Sequence, residues 1–132
     1  MKRVTGIGGI FFKARNHAAL STWYRDRLGI PVEEWGGATF HWRDEADPRR
    51  RGTTVWSPFK ADTKHFAPSE REFMVNFRVD DVRTLLAQLK AEGCTVVGDV
   101  QESEYGVFGW VMDPEGNKIE LWQPPASELD KT

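Results

Sequence analysis

The clearest pattern in this chain is an alternation of apolar and polar residues in two short segments, 73–79 and 118–123. In the second segment, Ile119 and Leu121 alternate with charged and aromatic residues. Successive side chains of a strand point to opposite faces of a sheet, so each segment predicts a strand with one apolar face and one polar, aromatic face. The second face carries, in chain order, Met74, Asn76, Arg78, Lys118, Glu120 and Trp122.

Apolar residues at helical spacing predict two helices, near 16–28 and 81–92. Residues typical of helix starts and stops flank both segments. They are Asn16 and Gly29 for the first helix, and Asp80 or Asp81 with Gly93 for the second. The starts at Asn16 and Asp80 are 64 positions apart, and so are the two glycines, which indicates an internal repeat.

Strand-like segments complete the repeat around these helices. They lie at about 4–14, 30–35, 38–42, 53–59, 73–79, 95–100, 107–112 and 118–123. The order is βαβββ twice, in modules at about 4–60 and 72–124, and we interpret the polar stretch between them as a linker. A helix covers one face of each module's sheet, and the twist of the sheet leaves the other face concave. We therefore predict a single α+β domain over residues 1–132, in which two βαβββ modules form a curved mixed sheet around a cleft.

Composition restricts the classes of function. The chain has 132 residues, 39% of them hydrophobic, and a net charge of -2, which is typical of one soluble domain and gives no case for a nucleic-acid partner. The single cysteine, Cys94, excludes an intramolecular disulfide. We find no apolar stretch of membrane-spanning length and no signal-peptide pattern, so we expect a cytoplasmic protein without a membrane partner. Six tryptophans leave room for an aromatic-lined pocket that binds a small molecule.

Three segments resemble the vicinal oxygen chelate superfamily, which includes glyoxalase I, the extradiol dioxygenases and the bleomycin-resistance proteins. They are Trp-Tyr-Arg-Asp-Arg-Leu-Gly at 23–29, Val-Asp-Asp-Val at 79–82, and Asp-Pro-Glu-Gly-Asn-Lys-Ile-Glu-Leu at 113–121. The resemblance covers roughly residues 4–124 and implies the glyoxalase-like fold and a homodimer. It does not fix the activity, because the superfamily contains lyases, isomerases, dioxygenases and metal-free binding proteins.

The superfamily's metal site takes one ligand, usually histidine or glutamate, from each of four strands. The resemblance places these positions at Gly9, Trp56, Met74 and Glu120. Only Glu120 has a side chain that suits the divalent ions of these enzymes. We therefore expect no metal cofactor, with the alternative that a divalent metal is held by ligands recruited from His41, His65 or a partner subunit.

Glu120 is the candidate functional residue, either as a catalytic base or as an anchor for a ligand, although a structural pairing with Lys118 or Arg78 remains open. His65 is interpreted as an ordinary loop histidine. Our leading hypothesis is a protein that binds a drug or metabolite in an aromatic-lined cleft, or an enzyme that uses Glu120 without metal. The alternative is a metal-dependent glyoxalase-like lyase or dioxygenase. The candidate ligand-binding residues are Phe11, His41, Trp56, Met74, Asn76, Arg78, Tyr105, Trp110 and Trp122.

Overall fold

The computed structural model describes residues 3–126 and contains, within that range, eight strands and two helices in one sheet-based fold. No helix in these residues has the length and apolar character needed to cross a membrane. The elements are β1 (Val4–Ala14), α1 (His17–Leu28), β2 (Ala38–Arg43), β3 (Arg51–Lys60), β4 (Phe73–Val79), α2 (Val82–Ala91), β5 (Thr95–Val96), β6 (Gln101–Ser103), β7 (Gly106–Met112) and β8 (Lys118–Gln123).

The strands form one mixed, curved sheet in the order β2-β3-β1-β4-β8-β7-β5, with β6 paired to β7. The first strand of each half pairs in parallel with the last strand of the same half, as β1 with β3 and β4 with β8. Those last strands pair antiparallel with β2 and β7, respectively. The central contact between β1 and β4 joins the two halves. The predicted α+β fold with a curved mixed sheet is therefore confirmed, and the two halves share the pairing of their first and last strands.

Both predicted helices are present, and their ends follow the predicted capping chemistry. The side chain of Asn16 accepts a hydrogen bond from Ala19 N at 3.0 Å, and Asp81 does the same for Thr84 N at 3.0 Å. Helix α1 ends at Gly29, which has a φ of 70°. Such a positive φ is accessible to glycine at little cost.

Helix α2 packs on one face of the sheet and closes the larger hydrophobic core. Leu121 of β8 and Val107 of β7 lie in the same buried cluster as residues of α2. The other members of the cluster are Val79, Val82, Leu85, Leu86 and Val111. Because Leu121 faces this helix, Glu120 and Trp122 must face the other side of the sheet, as the alternation predicted.

Two predicted strands differ from the structure. Segment 30–35 forms no strand, because Pro31 cannot donate a ladder hydrogen bond and the next residues close a turn. In that turn Glu33 N donates to Gly37 O at 2.8 Å. The first half is therefore βαββ, not βαβββ. Segment 95–100 is a strand only at β5, since Gly98 adopts a φ of 66° and the chain resumes pairing as β6.

The polar stretch 61–72 is packed against the sheet and is not a free linker. Phe66 is fully buried in a second hydrophobic cluster with Phe11, Met74 and Trp110. The end of the stretch is tied to β1, where Lys13 N donates to Glu72 O at 2.7 Å. This cluster lies on the face of the sheet opposite α2, so the stretch covers part of the concave side.

We expect Gly109→Ala to destabilise the protein by about 1–3 kcal/mol, the usual cost of overpacking a core. A Cβ at Gly109 would overlap Leu86 Cδ1 and lie 3.0 Å from Val82 Cγ1, so the Leu86 side chain or helix α2 would have to shift within the packed core. Urea unfolding measures the change. Truncating Leu86 should relieve the overlap. In a Leu86→Ala variant, the added Gly109→Ala change should therefore lower the free energy of unfolding by clearly less than it does in the parent protein. Equal costs in both backgrounds would contradict this account of the packing.

Candidate functional site

A cleft of about 580 Å³ opens on the face of the sheet opposite α2. Its walls are mainly aromatic and apolar, and its polar groups come from both halves of the chain. The residues that line it are Gly8, Phe11, Glu33, Trp35, Thr39, His41, Thr53, Val55, Asn76, Tyr105, Phe108, Glu120 and Trp122. An apolar cavity of this size with a few convergent polar groups is typical of a small-molecule site.

Glu120 is the polar centre of the cleft. It is 4% exposed, and its carboxylate accepts hydrogen bonds from Asn76 Nδ2 at 2.7 Å and Trp110 Nε1 at 2.9 Å. His65 Nε2 lies 2.9 Å from Glu120 Oε2. An ionised carboxylate only accepts hydrogen bonds, so this contact requires His65 to carry its hydrogen on Nε2. Three N–H groups therefore hold one buried carboxylate in a fixed position.

His65 is the main residue that the sequence analysis misjudged, because it was interpreted as an ordinary loop histidine. Its ring stacks on Phe59, with centroids 5.8 Å apart and 12° between the ring planes. Its backbone oxygen accepts a hydrogen bond from Lys118 Nζ at 2.7 Å. Segment 61–72 and β8 are thus joined at two points, the His65 ring on Glu120 and the His65 carbonyl on Lys118. No local pattern in the sequence indicated this contact, since His65 and Glu120 are 55 positions apart.

Trp122 and Phe108 form one aromatic wall of the cleft, with ring centroids 6.0 Å apart and nearly parallel planes. Trp122 Nε1 donates to Tyr105 O at 2.8 Å, which fixes the ring. The Arg78 guanidinium lies over the other side of the wall, 5.0 Å from the Trp122 ring centroid and 5.6 Å from that of Trp42. Arg78 thus supports the wall from behind and is not among the lining residues.

Arg78 also binds protein groups with its guanidinium. It donates to Thr53 Oγ1 at 2.9 Å and to Arg51 O at 3.5 Å. It is only 2% exposed. The direct ligand contact predicted for Arg78 is therefore not what the structure presents, because its charge is placed between two rings and turned towards β3.

The pairing register aligns four residues across the cleft face of the sheet. Gly9 lies opposite Val55 on β3 and opposite Asn76 on β4, and Asn76 lies opposite Glu120 on β8. Trp56 is therefore on the other face, where its ring centroid lies 4.8 Å from that of Tyr24 in α1. The prediction that Trp56 lines the cleft is wrong by one residue, and one residue reverses the face of a strand.

The remaining predicted site residues divide into two groups. Five line the cleft: Phe11, His41, Asn76, Tyr105 and Trp122. Met74 and Trp110 are on the same side of the sheet but lie beneath the cleft in the buried cluster, and only the Trp110 indole reaches the polar centre, through Glu120. The lining residues that the sequence analysis did not select are Gly8, Glu33, Trp35, Thr39, Thr53, Val55 and Phe108.

Lys118 lies beside Glu120 in a site that disfavours its charge. Burial lowers the pKa of Lys118 from the ordinary value of 10.5, and the negative charge of Glu120 opposes that shift. The Nζ also lies 5.4 Å from the Trp110 ring centroid. The folded protein therefore binds this proton less tightly than the unfolded chain does.

We expect this lowered pKa to appear in the pH dependence of stability. The penalty is fully present below the folded pKa of Lys118 and disappears as the pH rises towards the unfolded value, so the Lys118 contribution stabilises the protein with increasing pH. Urea unfolding of the parent and of Lys118→Met from about pH 8 to about pH 10 measures it. The free energy of unfolding of the parent minus that of the variant should increase as the pH rises. A difference independent of pH would contradict the assignment.

A family model described as a glyoxalase-like domain matches residues 9–122. The chain belongs to the glyoxalase-like domain family. This places it in the vicinal oxygen chelate superfamily, as the three motifs predicted. A comparison with curated protein sequences found no significant match.

Solved structures of similar fold confirm the architecture of this glyoxalase-like chain. A Streptomyces coelicolor methylmalonyl-CoA epimerase variant in complex with 2-nitronate-propionyl-CoA is 18% identical, with a TM-score of 0.69 over 98% of this chain and 99% of that one. The Mycobacterium tuberculosis methylmalonyl-CoA epimerase is 17% identical, with a TM-score of 0.60 over 96% and 93%. The Mn(II)-bound glyoxalase from Novosphingobium aromaticivorans is 18% identical, with a TM-score of 0.54 over 92% and 40%.

The residues present do not fit the four-ligand metal site that the superfamily implies. Of the four aligned residues on the cleft face, Gly9 and Val55 offer no ligand atom, and Asn76 turns its NH₂ group towards Glu120. Glu120 already accepts three N–H hydrogen bonds, which leaves one lone-pair position on its carboxylate. Over residues 3–126 there is no group of three or more His, Cys, Asp or Glu side chains that could hold a metal ion. Among the described residues, the His65 imidazole is the one histidine nitrogen in contact with Glu120, so the two side chains together offer two potential metal ligands.

Proposed function

We propose that this glyoxalase-like protein binds a small organic molecule, with an apolar body against the aromatic walls and a positively charged or N–H donor group on Glu120. The observation that carries the proposal is the buried Glu120 carboxylate, 4% exposed, at the centre of an aromatic cleft of about 580 Å³. A fixed carboxylate in a low-dielectric site interacts more strongly with a donor than the same group in water.

The charges of the lining support a cationic ligand over an anionic one. Among the described residues, the lining includes two carboxylates, Glu33 and Glu120, and no lysine or arginine. Two buried cationic residues of β4 and β8, Arg78 and Lys118, donate hydrogen bonds to protein groups, namely Thr53 and the backbone oxygens of Arg51 and His65. An anion entering the cleft would lie near two carboxylates, and the lining offers it donors from Trp35, His41 and the two threonines but no lysine or arginine.

A thermal-shift screen tests this proposal. Aromatic cations, neutral amides and aromatic acids of similar size are compared, because a ligand that binds only the folded state raises the unfolding temperature. We expect saturable stabilisation by cations and little by acids. Stabilisation by acids alone, or by none of the three classes at millimolar concentration, would overturn the proposal.

The same site could instead perform proton transfer without a metal, with Glu120 as the base. The observation that favours this second function is the Glu120–His65 contact of 2.9 Å, which connects the carboxylate to an imidazole able to pass a proton. The His65 side chain is 38% exposed, so the pair reaches from the buried carboxylate to solvent. Each ligand from the screen is incubated with the protein in D₂O, and exchange of its hydrogens for deuterium is measured. Exchange that depends on the protein indicates a catalyst, and binding without exchange indicates a binding protein.

The metal-dependent alternative rests on that contact as well, since His65 and Glu120 offer one nitrogen and one oxygen ligand. Metal analysis of protein purified without chelator or affinity tag decides it. One tightly held divalent ion per chain, lost in both Glu120→Ala and His65→Ala, would replace the proposal above with a recruited metal site.

We also propose that the chain forms a homodimer. Val4, Ile7 and Ile10 of β1 and Phe73 of β4 leave apolar side chains exposed on neighbouring strands. Such a patch is typical of a surface that contacts another protein. Analytical ultracentrifugation should give twice the monomer mass at high micromolar concentration, and a monomer under those conditions would contradict the proposal.

A further inference from the structure

Asn76 carries an acceptor that no protein group satisfies. It is 1% exposed, and its Oδ1 is a buried oxygen without a hydrogen-bond partner among the described residues. A buried acceptor in this state is unfavourable, because folding removes its hydrogen bonds to water and does not replace them. Native proteins hydrogen-bond most such groups, so an exception beside a cleft points to a group that arrives with a ligand.

The orientation of the Asn76 amide follows from its neighbour. Glu120 Oε1 can only accept, so the Asn76 NH₂ group must face it, at 2.7 Å, and Oδ1 must face the other way. There it lies against Gly8, because a Cβ on that glycine would overlap Oδ1. Both Gly8 and Asn76 line the cleft, so Oδ1 lies buried directly beneath the part of the lining where β1 has no side chain.

Glu120 also retains one acceptor site. A carboxylate offers about four lone-pair positions. His65 Nε2, Trp110 Nε1 and Asn76 Nδ2 take three of them, and the last remains on Oε1, the oxygen that receives Asn76. The site therefore has two acceptors with unused capacity, Glu120 Oε1 and Asn76 Oδ1, and the Asn76 NH₂ group lies between them. We call them the acceptor pair.

We propose that the acceptor pair recognises a planar cation with two or more N–H donors on neighbouring nitrogens, such as an amidinium, a guanidinium or an amino-substituted heteroaromatic cation. This inference rests on the proposed function, in which Glu120 anchors a donor group. A planar donor group delivers one N–H to the carboxylate and one to the amide oxygen. The aromatic residues of the lining, which include Phe11, Trp35 and Phe108, supply apolar surface for the flat body of such a ligand. A cation without N–H groups satisfies the charge of Glu120 but leaves Asn76 Oδ1 without a partner.

Calorimetric titration with four small probes tests the inference. The probes are benzamidine, phenyltrimethylammonium, benzamide and benzoate, which separate the charge of the ligand from its N–H donors. We expect benzamidine to bind at least about tenfold more tightly than phenyltrimethylammonium, since only benzamidine satisfies both acceptors. Benzamide should bind more weakly than benzamidine, because it lacks the charge, and benzoate should bind weakest.

Gly8→Ala provides the matched variant. Its methyl group would overlap Asn76 Oδ1 and lie 2.9 Å from Trp122 Cε3, so it either covers or displaces the acceptor while Glu120 keeps its charge. Benzamidine should lose about tenfold or more in affinity, and phenyltrimethylammonium should lose less. Circular dichroism and urea unfolding check that the variant folds, and the probe comparison in the parent protein decides the question if it does not.

The outcomes separate this inference from the proposed function. Equal binding of benzamidine and phenyltrimethylammonium, with both weakened by Glu120→Gln, would retain the Glu120 anchor and overturn the role of Asn76. Stronger binding of benzoate than of benzamidine would overturn both, as would the absence of binding by either cation.

Discussion

Replacing Phe66 with alanine will lower the free energy of unfolding by about 3–5 kcal/mol, the usual cost of removing a fully buried aromatic side chain. Phe66 is 0% exposed, and its ring centroid lies 5.3 Å from that of Phe59. It joins segment 61–72 to the cluster beneath the cleft, with Phe11, Met74 and Trp110. Removing it leaves a cavity among side chains from several strands, which cannot all move inward. Urea unfolding measures the loss.

Phe40→Ala is the matched control for that change. Phe40 lies on the edge strand β2 and is 42% exposed, so the same truncation should cost about 1 kcal/mol or less. Equal costs for the two variants would mean that segment 61–72 is not packed as described. The Phe66 variant should also weaken the His65–Glu120 contact, because the neighbouring residue loses its anchorage in the core.

Glu120→Gln will reduce the affinity for a cationic ligand by about 1.5–3 kcal/mol, the contribution of a hydrogen bond to a charged group. This corresponds to roughly 10- to 150-fold in Kd. The amide keeps the shape of the side chain but removes the charge, and one of its atoms becomes a donor among three existing N–H donors. Titration of the best cation from the thermal-shift screen into the parent and the variant measures the change.

The control for Glu120→Gln is Glu33→Gln, which makes the same exchange at another lining carboxylate. Glu33 is exposed, so solvent screens its charge and its loss should change affinity only slightly. Should the ligand also be turned over, Glu120→Gln will slow that reaction about a hundredfold or more if Glu120 is the base. Unchanged binding and unchanged turnover would place the functional centre on another residue.

The sequence alone predicted the elements in which the structural signal is local. The alternation in β4 and β8 fixed which residues face the helix and which face the cleft, because side-chain direction has a strict period of two along a strand. Asn16 and the adjacent aspartates Asp80 and Asp81 predicted the helix starts to within one residue, since an N-cap is a contact between residues three positions apart. The motif ending at Leu121 indicated the superfamily, and Glu120 was selected as the candidate residue of the cleft.

The features that only the tertiary structure decided depend on residues far apart in the chain. The structure places the second helix cap at Asp81, not Asp80, which makes its spacing from Asn16 65 positions. The same offset of 65 separates Val55 from Glu120, and the pairing register aligns these two residues across Gly9 and Asn76. Two adjacent aspartates are able to cap the second helix, so only the structure decided between offsets of 64 and 65. That one residue determines whether Trp56 or Val55 faces the cleft, because neighbouring residues of a strand point to opposite faces.

The environment of Glu120 was decided in the same way. His65 and Trp110 reach its carboxylate from segment 61–72 and from β7, and the pairing of β4 with β8 brings Asn76 beside it. A local sequence pattern can predict the face to which each of these side chains points. It does not predict that the side chain contacts Glu120. The sequence by itself thus determined the fold, the family and the central carboxylate. Only the packing of segment 61–72 and the strand register determined what that carboxylate contacts and which acceptors remain for a ligand, because both depend on contacts between residues that no local pattern connects.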